Sequence, residues 1–142
     1  MRLIIVDLTN GLLTDGKLTA ARPGAGEALH ALSRRYRLAA FVDTDATGLT
    51  LRGTLESSGL GTHFETITTS ADTGDTLSPV TVHQVAAANG IPTRQTAVIS
   101  NRANIAETLQ MAGIVTLLAG RSQPPSELPE ALAWVTAVSS ES

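Results

Sequence analysis

The 142-residue chain contains no cysteine. Disulfides, thiolate metal sites and thiol nucleophiles are therefore excluded. Aromatic side chains are scarce: Tyr36, Phe41, Phe64 and Trp134 are the whole set. Little is left with which to stack on nucleobases. Charged residues make up 16% of the chain, well below the usual ~25%. The net charge of −3 gives no electrostatic case for nucleic acid or an anionic membrane surface. Lysine occurs once, at Lys17, and the other basic residues are arginines. The three histidines, His30, His63 and His83, are too scattered along the chain for a local zinc motif. No apolar run approaches the ~18 residues of a membrane span. The opening residues lack the charged, apolar and cleavage regions of a signal peptide. These absences together lead to the expectation of a soluble, cytoplasmic protein.

The apolar residues, 42% of the chain, are arranged in short runs that alternate with helix-period segments. RLIIVDL (2–8), RLAAFVD (37–43), ETITTS (65–70), QTAVIS (95–100) and IVTLLA (114–119) read as strands. Four are nearly continuous apolar runs, as parallel strands covered on both faces require. ETITTS is more polar and suits a sheet edge. Between them, Ala25, Ala28, Leu29, Leu32 and Tyr36 form a stripe at helical spacing, as do Val82, Val85 and Ala86, and again Ile105, Leu109 and Ala112. Ser78-Pro79 supplies an N-cap and a first-turn proline; Asn89-Gly90 and Gly113 can close helices. A weaker helix, with Leu49, Leu51 and Leu55, is expected over 46–59, and TSADTGD (69–75) reads as a turn-rich loop. LLTDGKLT (12–19) carries a hairpin signal at Asp15-Gly16. SELPEALAWV (126–135) reads as a closing helix, over about 126–138, that docks through Trp134. Strand–helix alternation of this kind predicts one α/β domain over 1–142, with a parallel sheet and its core in about 2–120.

Four stretches carry chemistry. IIVDLTNGLLTDG delivers Asp7 from an apolar strand to a loop. LAAFVDTDAT ends the second strand at Asp43 or Thr44. TLSPVTVHQVAAANGIP places Ser78 before a helix-opening proline, and AVISNRANIAETLQMAGI places Asn101 after the fourth strand. In this order and layout the chain resembles the haloacid dehalogenase-like (HAD) superfamily over about residues 2–120. The interval from Asp7 to Asp43 is too short for a large cap domain. The resemblance implies a three-layer sandwich around a five-stranded parallel sheet of order 5-4-1-2-3, with a small hairpin flap after the first strand. It also implies phosphoryl transfer through an aspartyl-phosphate at Asp7. The residue two positions on, here Thr9, would stand at the acid/base position. Asp43 or Thr44 and Ser78 would contact substrate, and Mg2+ would be held by Asp7 and the fourth-motif position, here Asn101.

Several residues depart from the family pattern. Thr9 cannot donate a proton as a tuned carboxyl can, a loss of typically ~10²–10⁴-fold. No lysine follows Lys17, so the phosphate-binding lysine is missing and Ser78 sits in its place; Arg102 is the nearest candidate substitute. Ser100-Asn101 replaces Gly-Asp, and Ile105 aligns with the second acid, so Mg2+ loses anionic oxygens it favours. If Asp43 rather than Thr44 is the strand-end residue, two carboxylates face one another, repel phosphate and raise one pKa. Asn101 and Asn104 also fit the role of helix caps. Two readings stay open. In one, the phosphatase centre is impaired or lost and the domain binds a protein or a small phosphorylated ligand, or self-associates as a homo-oligomer. In the other, it is an active phosphohydrolase or phosphotransferase that uses Asp7, Thr9 and Mg2+.

Overall fold

A computed structural model describes residues 2–9 and 25–118. The hairpin (12–19) and the closing helix (126–138) lie outside the described residues. The elements run β1 (Leu3–Asp7), α1 (Ala25–Ser33), β2 (Arg37–Val42), α2 (Gly48–Ser57), β3 (Thr66–Thr69), α3 (Ser70–Thr73), α4 (Pro79–Ala88), β4 (Thr96–Ser100), α5 (Ala103–Met111) and β5 (Val115–Leu118). The five strands form one parallel sheet in the order β3-β2-β1-β4-β5. This is the expected order read from the other edge, and ETITTS does sit at an edge.

The three inner strands are largely apolar because both of their faces are covered. Alternate residues point to opposite sides of a pleat, and the two cores divide accordingly. Ile4, Val6, Leu38, Ala40, Val42, Ala97 and Ile99 pack under Leu29 and Leu32 of α1 and Leu55 of α2. Leu3, Ile5, Ala39, Phe41 and Val98 pack on Val82 and Val85 of α4 and Ile105 and Leu109 of α5. Each fully buried side chain of this size stabilises the fold by about 1.5–3 kcal/mol before entropy is charged.

Local chemistry sets the element ends. The Ser78 hydroxyl accepts from Thr81 N at 3.3 Å, with Pro79 in the first turn of α4. Gly113, at φ 82°, turns the chain from α5 into β5. Three expectations need correction. TSADTGD is not simply a loop: Ser70–Thr73 forms a one-turn helix, closed by a reciprocal capping box between Thr69 and Asp72. Leu49 does not join the buried stripe of α2; it is fully in solvent, while Leu51 and Leu55 face the core. Neither Asn101 nor Asn104 caps α5, whose N-cap is Arg102 with no side-chain cap bond.

Candidate functional site

Ligands in open parallel sheets bind beyond the carboxyl ends of the strands, where the chain order switches direction. Here that point lies between β1 and β4, since β2 and β3 extend to one side of β1 and β4 and β5 to the other. Asp7 is the last residue of β1 and is completely buried. Ser100 ends β4, in the next strand, and is also completely buried. Arg102 follows at the start of α5.

Asp7 is held on both oxygens. Its Oδ2 accepts from Ser100 Oγ at 2.8 Å and from Arg102 Nε at 2.8 Å. Its Oδ1 accepts a longer bond, 3.2 Å, from the Thr9 backbone N–H. The Ser100 hydroxyl also accepts from Arg102 N at 3.1 Å, which fixes the turn that carries the arginine. The Arg102 side chain is only 16% exposed. Its Nη1 reaches Asp43 Oδ2 at 3.3 Å. One guanidinium therefore bridges the ends of β1 and β2 from the loop after β4.

Asp43 is the residue turned toward this bridge. Its backbone N–H donates to Thr9 Oγ1 at 2.9 Å, and its carboxylate accepts from Thr76 Oγ1 at 2.8 Å. Thr44 instead faces α3: its N–H donates to Ser70 Oγ, and its carbonyl accepts from the same hydroxyl. Hydrogen bonding from Ser70 and Thr76, together with the Arg102 guanidinium, holds the Asp43 carboxyl below its ordinary pKa against the opposing effect of burial. The net shift at Asp43 is therefore downward, where like-charge repulsion alone would raise it. Ser78 is occupied elsewhere, capping α4 and reaching Asp75 Oδ2 at 3.4 Å. Asn101 is buried beside the bridge, between Ser100 and Arg102. Among the described residues no three His, Asp or Glu side chains gather closely enough to hold a metal ion.

No protein-family model matches the sequence, and no curated protein matches it. Solved structures do match. An uncharacterized protein from Corynebacterium glutamicum superposes with a TM-score of 0.69 at 18% identity, over 96% of this chain and 93% of that one. A haloacid dehalogenase-like family hydrolase from Xanthomonas campestris gives 0.64 at 18% identity, over 85% of this chain and 56% of its own length. A haloacid dehalogenase-like family protein from Streptococcus pneumoniae gives 0.62 at 16%, over 84% of this chain and 60% of its own. The fold is the haloacid dehalogenase-like one. On that fold Asp7 lies at the carboxyl end of the central strand.

The sequence reading missed two things. It treated Ser100 only as a replacement for glycine, whereas Ser100 is a donor to Asp7. It also left Arg102 only as the nearest candidate substitute for a phosphate-binding lysine, whereas Arg102 is the cation held against Asp7. The available signal was a serine and an arginine flanking the end of a buried strand, with a lone carboxylate at the end of another.

Proposed function

We propose that this chain has a haloacid dehalogenase-like hydrolase fold whose phosphoryl-transfer centre has become a fixed ion-pair bridge, and that the domain acts by binding rather than by turnover. The observation that carries this reading is the 2.8 Å contact of Arg102 Nε with Asp7 Oδ2. Mg2+ requires a near-octahedral shell of oxygens. A divalent ion on Oδ2 would lie against the guanidinium, and two cations sharing one carboxylate oxygen repel strongly at such distances. The rest of the donor set is weak, with Asn101 where an acid is implied and no cluster of three anionic or imidazole ligands among the described residues. The residues present do not fit the ion.

Phosphate fares no better. Asp7 and Asp43 against one Arg102 leave the bridge with a net negative charge. An incoming phosphoryl group needs the opposite, preorganised positive charge aimed at its oxygens. Arg102 is positive, but two carboxylates already take up its Nε and Nη1, which leaves only Nη2, buried and without a partner among the described residues, for an incoming oxygen. Thr9 supports the same conclusion, since its hydroxyl accepts the Asp43 N–H and lacks an acid's proton.

The alternative of an active phosphohydrolase draws on one feature: among the described residues Asp7 Oδ1 carries only the 3.2 Å bond from Thr9 N, leaving it the less encumbered oxygen for attack. Hydrolysis of an aryl phosphate, with and without added Mg2+, separates the readings. Turnover at background level, unchanged by Asp7→Asn, is the expected result. Metal-stimulated turnover abolished by Asp7→Asn overturns the proposal. The partner remains a protein, a small phosphorylated ligand or a second copy of the chain, as the sequence reading left it.

A further inference from the structure

The end of the sheet away from Asp7 carries charge of the opposite sign. A cavity of about 540 Å3 opens there, at the amino ends of the strands. Arg2 precedes β1, Arg34 and Arg35 follow α1, and Arg37 opens β2; all four line this one concavity. They are four of the ten lysines and arginines in a chain of net charge −3. Among the described residues Glu65 is the only carboxylate in its wall.

The cations there are poorly neutralised. Arg37 meets Glu65 at 3.8 Å with both side chains half exposed, and such a pair contributes little. Arg2 donates to Gln95 Oε1 at 3.2 Å, a neutral acceptor. The guanidinium groups of Arg34 and Arg35 make no ion pair among the described residues. Like charges gathered in a concave surface raise a strong local potential and attract anions.

The volume falls in the ~300–1,000 Å3 range of small-molecule sites, and guanidinium forks match phosphate oxygens bidentately.

We propose that this cavity binds a small organic phosphate carrying two or more negative charges, through Arg34, Arg35 and their neighbours at the amino end of the sheet. The site is a single concavity and not an extended basic stripe, which favours a small anion over a nucleic acid strand. The inference does not rest on the reading of Asp7 and stands whether or not that centre turns over.

The test is titration calorimetry of the full chain with ADP and with inorganic pyrophosphate at low and moderate salt. Saturable one-to-one binding that weakens with salt is expected. Arg34→Glu with Arg35→Glu should weaken it by on the order of tenfold or more. Both positions are exposed, so the charge reversal leaves the fold intact. Asp7→Asn should leave the binding unchanged. Absence of saturable binding to either probe overturns the proposal. So does binding that the arginine reversal leaves intact, or binding lost in Asp7→Asn, which would place the anion at the other end of the sheet.

Discussion

The Asp7–Arg102 pair gives a quantitative prediction that does not depend on any ligand. Asp7 is completely buried and Arg102 nearly so. At 2.8 Å and an effective dielectric near 20, their attraction is of order 5 kcal/mol before desolvation is subtracted. Replacing Arg102 with methionine keeps most of the side chain's apolar volume and removes the charge. The carboxylate then stays buried with, among the described residues, only Ser100 and Thr9 to satisfy it. Removing one partner of a buried pair typically costs ~3–5 kcal/mol. The two remaining donors place the expected loss near the low end, about 3 kcal/mol. For a chain of this length that corresponds to a fall in Tm of about 10 °C.

The converse change should be milder. In Asp7→Asn, Arg102 keeps Asp43 and some access to water, so the expected loss is about 1 kcal/mol. The double variant Asp7→Asn with Arg102→Met buries no charge, and it should be about as stable as Asp7→Asn alone, because replacing both members of a buried pair is often neutral. Urea unfolding followed by far-ultraviolet circular dichroism measures all four proteins on one scale. The reasoning fails if the double variant loses the sum of the two single losses. Additivity would mean that the two side chains do not interact, and the bridge would then be a geometric accident.

Other predictions concern the scaffold. Gly48→Ala should destabilise by about 2 kcal/mol or more in the same urea assay, because a Cβ there would run into the backbone carbonyl of Ile67 and crowd Asp72, whose Oδ2 accepts the Gly48 N–H. Leu109→Ala should cost about 3 kcal/mol, since Leu109 is fully buried in the core between α5 and the sheet. His63 should give a pH signature: burial, and secondarily the charge of His30, lower its pKa. The unfolded chain therefore binds the proton more readily than the folded one, and stability should fall as pH drops below about 6.5. His63→Gln should flatten the pH dependence in that window, and an unchanged slope would count against the assignment.

The sheet was legible because its strands are covered on both faces. LIIVD, RLAAFV and TAVIS leave no alternation to confuse with a helix, and Ser78-Pro79 marks a helix start by its own chemistry. What escaped notice depends on distant contacts. His30 and His63 are too far apart in sequence for a metal motif, yet their rings lie 6.3 Å apart in an edge contact. Arg2 and the Arg34-Arg35-Tyr36-Arg37 run become one surface only because β1 and β2 start side by side, with Leu3 opposite Arg37. The run itself could have been noted, as could Thr69-x-x-Asp72, which has the form of a capping box. Neither belongs to an apolar period, which is the signal that carried the rest of the reading.

The same logic bears on Asp7. Measured against the pattern the resemblance implies, the sequence offers a metal fewer anionic ligands and a phosphate no lysine. Without Arg102, Asp7 would be a carboxylate at the carboxyl end of the central strand with no counter-charge, and a fully buried, uncompensated ion is among the most destabilising features a core can hold. Arg102 resolves that conflict from inside the chain. Its Nε takes Oδ2, its backbone N–H fixes Ser100, and Ser100 donates to the same oxygen. Asp43 then becomes a second acceptor for the same cation. On this view the arginine and the missing acids belong together. Restoring an acid at position 101 while Arg102 stays should not restore metal binding, because the guanidinium would still lie on the oxygen the metal needs. Asn101→Asp combined with Arg102→Ser, titrated with Mg2+ and read by thermal stability, should be the first variant to show metal-dependent stabilisation. Stabilisation by Mg2+ in Asn101→Asp alone would show that the guanidinium does not block the site.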